Sequence, residues 1–216
     1  IDLGVDGLTL HPRPDHRHAT SDDVIELAKI SKNRGVEFNI EGNPFSQPSG
    51  EFLGFCELVE LIDPDQITLV PDTVDQITSD HGWFSGSHDD KLKNIIEILK
   101  TKCTSPNISL FIDNLNGVEY ANEMGAGLIE IHTGNFSKVI EKNDESALLE
   151  IKSIVDLAKR KNLKINAGHD LNLNNLHYLV QMGNINEVSI GHAIIIDSLN
   201  YGFEETIIKY LKIIRK

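Results

Sequence analysis

The chain has 216 residues, 40% of them hydrophobic, enough to bury one substantial core. Its 33 acidic against 20 basic residues give a formal net charge of −13, which argues against nucleic acid or an anionic membrane as partner, because both demand a positive footprint. No apolar run approaches the ~18 residues needed to span a bilayer, and Cys56 and Cys103 sit in no metal or disulfide spacing, so one soluble domain over 1–216 in a reducing, cytoplasmic compartment is expected.

Short β-rich runs alternate with helical patterns along the chain. The sequence opens on Ile1 without Met, like a helix end running into a strand, so an N-terminal piece is expected to be missing. The first visible strand is predicted over Gly7–Leu10. A helix follows, with Thr20 or Ser21 as N-cap, Asp22 and Asp23 in its electropositive first turn and Gly35 just past its end. Further strands are predicted over 36–40, 66–70, 108–112, 128–131, 164–167 and 187–190. Helical periodicity is clearest over 145–161, where Leu148, Ile151, Val155 and Ala158 fall three, four and three residues apart. A last helix is predicted over 203–216. Strict β-then-α alternation means parallel pairing. Two architectures suit it: a (β/α)8 TIM barrel with extra helices, its first strand absent from the chain, or an open doubly wound sheet. Even strand spacing and the lack of any Gly-x-Gly-x-x-Gly fingerprint favour the barrel and give no sign of a nucleotide cofactor.

In a barrel strand, alternate side chains face the helices and the barrel axis. Val36, Phe38 and Ile40 alternate with Glu37, Asn39 and Glu41; Ile129 and Ile131 alternate with Glu130 and His132; Leu8 and Leu10 alternate with Thr9 and His11. The apolar set must face the helices, which aims carboxylates and imidazoles inward, where an unpaired polar group costs ~1–3 kcal/mol or more. His11, Glu41, Glu130, His132, His169 and His192 all lie at or just after C-terminal strand ends, the face on which barrel enzymes keep their sites. Taken singly, any of these histidines is a hydrogen-bonded structural residue, and Glu37, deeper in its strand, reads as structural; the set is what suggests chemistry. Metal ligation competes, but no His-x-His lies on a strand and no His-Glu-x-x-His helix exists; His16-x-His18 is in a loop. Gly191-His192-Ala193 opens a helical segment over 194–199, a suitable phosphate site, though a plain strand-end glycine is an equal reading.

At these same residues the sequence resembles the pyridoxine 5′-phosphate synthase family. The motifs are His-Pro-Arg-Pro-Asp-His-Arg-His (11–18), Asn-Ile-Glu (39–41), Leu-Val-Pro (69–71), Glu-Ile-His-Thr-Gly (130–134), Asn-Ala-Gly-His (166–169) and Ile-Gly-His-Ala (190–193), in order through the whole chain. The resemblance implies a homo-octameric barrel that condenses 1-deoxyxylulose 5-phosphate with 3-amino-2-oxopropyl phosphate and releases phosphate and water, with no metal and no cofactor. It implies that His11, Glu41 and His169 are acid/base residues and Glu130 a further pocket carboxylate. Arg13, His18 and Thr78 are implied to contact substrate, and Gly191 with His192 to hold a phosphate. Asp170 joins the substrate-binding set where many relatives carry glycine, so its carboxylate must point away or weaken the phosphate. The family's first strand, with an Asn, an Asp and a His, and an Arg that reaches a neighbouring subunit, is not in this chain.

Ring-closing condensation needs repeated proton transfers by groups that titrate near neutrality, which suits histidine directly and suits a glutamate raised by desolvation, expected for Glu41. Segment 78–87, with Gly82 and Gly86, is either a lid or a mobile surface loop. Two other functions stay open: a metal-dependent barrel hydrolase or isomerase, and a non-catalytic barrel that binds phosphorylated ligands.

Overall fold

The computed structural model describes residues 1–104, 106–142 and 146–215. Seven strands, β1 (Gly7–Leu10), β2 (Glu37–Gly42), β3 (Gln66–Leu69), β4 (Asn107–Ile112), β5 (Leu128–His132), β6 (Lys164–Gly168) and β7 (Glu187–Ser189), pair in chain order, and every pairing is parallel. The predicted strands are therefore all present, with ends that differ by one or two residues.

The sheet curls into a nearly closed barrel, and side-chain contacts across its interior demonstrate the curvature. Asn166 Nδ2 on β6 donates to Gln66 Oε1 on β3 at 3.1 Å, and the carboxyls of Glu37 on β2 and Glu187 on β7 hydrogen-bond to each other. In a flat sheet, with ~4.8 Å between neighbours, these partners would lie roughly 14 and 24 Å apart. The open doubly wound alternative is thereby excluded.

Nine helices cover the outside among the described residues: α1 (Ser21–Arg34), α2 (Phe55–Ile62), α3 (Asp89–Lys102), α4 (Leu115–Met124), α5 (Gly134–Ile140), α6 (Ser146–Arg160), α7 (Leu176–Met182), α8 (His192–Tyr201) and α9 (Phe203–Ile214). Helix α1 starts where the sequence places it. Thr20 accepts from the Asp23 backbone N–H at 3.1 Å while the Asp23 carboxylate accepts from the Thr20 N–H at 2.8 Å, a reciprocal capping box, and Gly35 at φ 65° closes the other end. Of the helix predicted over 145–161, Glu145 lies outside the described residues, as does Lys216 of the last one.

The core lies between sheet and helices. Phe38, Ile40, Ile67, Leu69, Ile108, Leu110, Ile129, Ile131 and Ile165 are all at most 3% exposed and pack against Val24, Leu58, Ile96, Val118, Ile154 and Leu179 from the helices. The opposite parity lines the barrel mostly with polar groups, Asn39, Gln66, Thr68, Ser109, Glu130 and Asn166, with Phe111 and Leu128 as buried apolar members on β4 and β5. Alternation within each strand thus separates a hydrophobic layer from a hydrophilic axis. Because all strands are parallel, their C-terminal ends share one rim, and the site is built there.

Candidate active site

His11 is the residue that follows β1, and both of its ring nitrogens face carboxylates. Nδ1 lies 3.2 Å from Glu41 Oε1 on β2, and Nε2 lies 3.3 Å from Asp72 Oδ2 just beyond β3. Burial alone would lower the His11 pKa, but the hydrogen bonds and charges of Asp72 and Glu41 outweigh it and raise the value to about 9. The ring is therefore an imidazolium at neutral pH. His18 meets His11 edge-on, with 5.2 Å between ring centroids. Partial burial, then the neighbouring charges of His11, Arg13 and Arg17, push His18 down.

Arg13 is 2% exposed, and its guanidinium is consumed by the segment after β3. It donates to Asp72 Oδ2 at 2.5 Å, to the Thr73 carbonyl at 2.5 Å and to the Gln76 carbonyl at 2.9 Å. Arg17 reinforces the same contact through the Val74 and Gln76 carbonyls. These bonds draw residues 72–78 across the rim, and Thr78 Oγ1 reaches His169 Nε2 at 3.0 Å. The segment predicted as a lid over 78–87 is not free along its length. Trp83 is buried, with its indole N–H on the Leu69 carbonyl at 2.8 Å, and Gly82 N–H donates to Asp113 at 3.0 Å, so the part that spans the mouth ends before Gly82.

The other side of the rim comes from β5 and β6. Glu130 is 2% exposed, and its Oε2 has no hydrogen-bond partner. Burial, then the negative charges of Glu41 and Glu187, raise its pKa well above the ordinary glutamate value. It rests on Gly168: a Cβ there would collide with Glu130 Oε1, which is why this strand end needs glycine. His132 behaves oppositely to His11. Burial, then the neighbouring His169, lower it to about 4, its ring stands 4.6 Å from that of His169 in an edge-to-face contact, and its Nε2 is unpartnered.

His169 and Asp170 occupy consecutive left-handed positions, φ 84° and 58°, a conformation that costs L residues ~1 kcal/mol each. Thr133 holds the turn: its hydroxyl donates to the Gly168 carbonyl at 2.6 Å and the His169 carbonyl at 2.5 Å. The Asp170 carboxylate lies 3.3 Å from His169 Nδ1 and faces Gly134. Gly191 is the N-cap of α8 and His192 its first residue; both are exposed, and no side chain caps the helix, so its first N–H groups face outward.

The structure brings His11, Glu41, Arg13 and His18 into one cluster on the β1 to β3 side, and Glu130, His132, His169 and Asp170 into a second on the β5 to β6 side. Thr78 bridges the two. Gly191 and His192 stand apart on the same rim, with no side-chain contact to either cluster. Among the described residues no three His, Cys, Asp or Glu side chains are grouped as a metal site. Two contributors escape the sequence reading. Asp72 was findable, since it follows Leu-Val-Pro at a C-terminal strand end, where the rule that selects His11 also applies; Thr133 gives no signal, because its role depends on a carbonyl from the next strand.

Comparison with known proteins now has a geometry to attach to. The family described as Pyridoxal phosphate biosynthesis protein PdxJ matches residues 1–216. Proteins named pyridoxine 5′-phosphate synthase are similar throughout. That of Cytophaga hutchinsonii is 44% identical over 216 residues, covering 99% of this chain and 86% of its own. That of Xanthomonas axonopodis pv. citri is 39% identical over 218 residues, covering 100% and 85%. Among solved structures, thiamine phosphate pyrophosphorylase from Pyrococcus furiosus superposes with a TM-score of 0.61 at 13% identity, covering 99% of this chain and 85% of that one. Deoxyribose phosphate aldolase from Aeropyrum pernix gives 0.58 at 13%, covering 92% and 91%. Those two likenesses concern the barrel alone. With residues 1–216 matched by one family and 39–44% of its positions shared with these two curated relatives, the chain belongs to the pyridoxal phosphate biosynthesis protein PdxJ family.

Proposed function

We propose that this chain is a pyridoxine 5′-phosphate synthase, joining 1-deoxyxylulose 5-phosphate to 3-amino-2-oxopropyl phosphate by general acid/base catalysis. The observation that carries this reading is the contact of His11 with Glu41 at 3.2 Å and Asp72 at 3.3 Å at the rim of a barrel whose other side holds a buried carboxyl, Glu130, raised by desolvation, and an imidazole, His132, lowered by it. A primary amine that condenses with a ketone loses two protons in all, while the carbonyl oxygen gains two and departs as water. Glu41 takes protons from the nitrogen and His11, reprotonated by Glu41, delivers them to the oxygen, so the pair ends in its starting state. Two carboxyls in unlike surroundings, Glu41 beside the His11 ring and Glu130 in a desolvated slot that raises its pKa, divide the acid and base duties.

His169, held by Thr133 and touched by Thr78, serves the later proton transfers on the opposite face. His18 and Thr78 contact substrate, Arg13 has only its Nε left for that role because its other nitrogens hold Asp72 and two carbonyls, and the open first turn of α8 at Gly191 and His192 takes a phosphate, as helix N-termini do. Asp170 turns its carboxylate toward His169, away from the anion. The enzyme works as a single domain over 1–216, in the cytoplasm, as a homo-oligomer, and the family's octamer is the expected assembly. No helix among the described residues is long and apolar enough to cross a membrane. The metal-dependent reading gains no support from side-chain spacing.

The test is direct. Full-length protein mixed with the two phosphates is expected to release pyridoxine 5′-phosphate and inorganic phosphate, and Glu41→Gln to do so far more slowly. No product from folded full-length protein would end the assignment, and tight substrate binding without turnover would leave a ligand-binding barrel instead.

A further inference from the structure

We propose that Asp72 is a positioning residue that anchors the His11 ring through Nε2 and, through Arg13, fixes the segment that carries Thr78 to His169. The inference rests on the acid role given to His11 above and adds the group that sets it. One carboxylate oxygen, Oδ2, lies 3.3 Å from His11 Nε2 and 2.5 Å from Arg13 NH1. Asp72 is 5% exposed, so water does little to screen these contacts. Its backbone carbonyl accepts from Asn43 Nδ2 at 2.7 Å, which ties it to the end of β2. Asp72 is therefore fixed from three directions: the β1 loop, the β2 end and its own strand.

The groups facing His11 are few and all bear on its charge. Glu41 from β2 and Asp72 from the end of β3 attract its proton, His18 and Arg13 from its own loop oppose it, and Glu130 on β5 is electrostatically coupled to it. With Glu41 alone, His11 would have one nitrogen engaged and the other free, and either neutral tautomer would serve. Asp72 removes that freedom, because both nitrogens must then donate. Glu41 can accept and return a proton during the reaction, whereas Asp72 is committed to the buried Arg13 guanidinium as well as to His11. The two carboxylates thus have separate duties: Glu41 exchanges protons with His11, and Asp72 fixes its ring. Because Arg13 also binds the Thr73 and Gln76 carbonyls, the same ion pair sets where Thr78 falls relative to His169.

The experiment is Asp72→Asn in the full-length enzyme, read by nitrogen-15 NMR of His11 and by the pH profile of kcat. In the unmodified protein both His11 nitrogens are expected to be protonated at about pH 7.5. In Asp72→Asn the His11 titration falls by about one pH unit or more and the alkaline limb of kcat moves down with it, so kcat drops about tenfold at about pH 10 and scarcely at about pH 7, with a smaller change in KM. An unmoved His11 titration in folded Asp72→Asn overturns the proposal, as does an equal loss of kcat at every pH. If Asp72→Asn does not fold, the unmodified enzyme still decides, since a neutral His11 ring at about pH 7.5 is incompatible with the proposed clamp. The NMR readout needs no turnover, so it can fail while product formation succeeds, and the reverse.

Discussion

The two sides of the barrel mouth are built on opposite electrostatic plans. On the β1 to β3 side charged groups face one another: His11 between Glu41 and Asp72, Arg13 on Asp72 and two carbonyls, with Arg13 Nε left without a hydrogen bond. On the β5 to β6 side burial works against charge and more atoms lack hydrogen bonds: Glu130 is raised and its Oε2 is bare, His132 is lowered and its Nε2 is bare, and His169 Nδ1 has only the Asp170 carboxylate at 3.3 Å. Buried polar atoms without partners are rare in folded proteins because each costs ~1–3 kcal/mol. The first side is preassembled; the second is left unsatisfied for groups that a bound substrate supplies.

That contrast is broken or sharpened first by paired substitutions. Glu41→Gln is expected to lower kcat by roughly 10²–10⁴-fold. If the β1 to β3 groups act as one unit, adding His11→Asn costs little more, because the second residue loses its function with the first. Adding His169→Asn to Glu41→Gln should instead multiply the losses, since the two stand in different clusters. Rate measurements on the three single and two double variants check this, and equal coupling for both pairs would dissolve the distinction.

The next effect is on stability against pH. A histidine whose folded pKa is raised, as His11 is to about 9, contributes stability that is whole below its unfolded value of 6.5 and is lost as pH rises through 9. The amount is on the order of 3 kcal/mol, from ~1.4 kcal/mol per pH unit. His132, depressed to about 4, contributes stability that is whole above 6.5 and is lost as pH falls through 4. Its share is smaller, because its ring is less enclosed. Urea midpoints across pH should therefore fall on both flanks; His11→Gln is expected to flatten the alkaline flank and His132→Gln the acid one.

How much of this was legible before any coordinates follows the range of the forces involved. Strand positions, the α1 cap and the inward parity of Glu41, Glu130 and Asn39 are set by neighbours in sequence, and each is where the pattern puts it. Protonation is set by neighbours in space. Parity treats His11 and His132 alike, yet two carboxylates charge one and an apolar pocket with a second imidazole discharges the other. Burial raises the Glu130 carboxyl, which the sequence could not single out from Glu41, because depth along the barrel axis is not written in alternation. Segment 78–87 was ambiguous for the same reason: only the structure shows that Trp83 anchors it and that Arg13 and Thr78 settle it on the mouth.

Gly168→Ala probes the β5 to β6 side through packing alone. The new methyl group would occupy the space of Glu130 Oε1, which has no room to retreat behind a barrel axis filled by Thr68, Ser109 and Asn166. Overpacking of this kind costs ~1–3 kcal/mol, readable as a lower urea midpoint with unchanged slope. Activity should fall further than stability, and the alkaline stability flank assigned to His11 should survive, since the β1 to β3 cluster does not touch Gly168. Loss of that flank in Gly168→Ala would mean that the two sides are mechanically one.

Asp170→Asn tests the smallest difference. Asparagine tolerates φ 58° as well as aspartate does, so backbone strain is unchanged and only the charge near His169 is removed. The carboxylate is 30% exposed and 3.3 Å from His169 Nδ1, a pair worth no more than ~1 kcal/mol, so the urea midpoint should scarcely move. Anion binding should respond instead. If the carboxylate repels a phosphate held at the neighbouring rim, KM for a phosphorylated substrate falls a few-fold in Asp170→Asn while kcat holds, whereas an unchanged KM places the phosphate beyond its reach and leaves Asp170 as a partner of His169 alone.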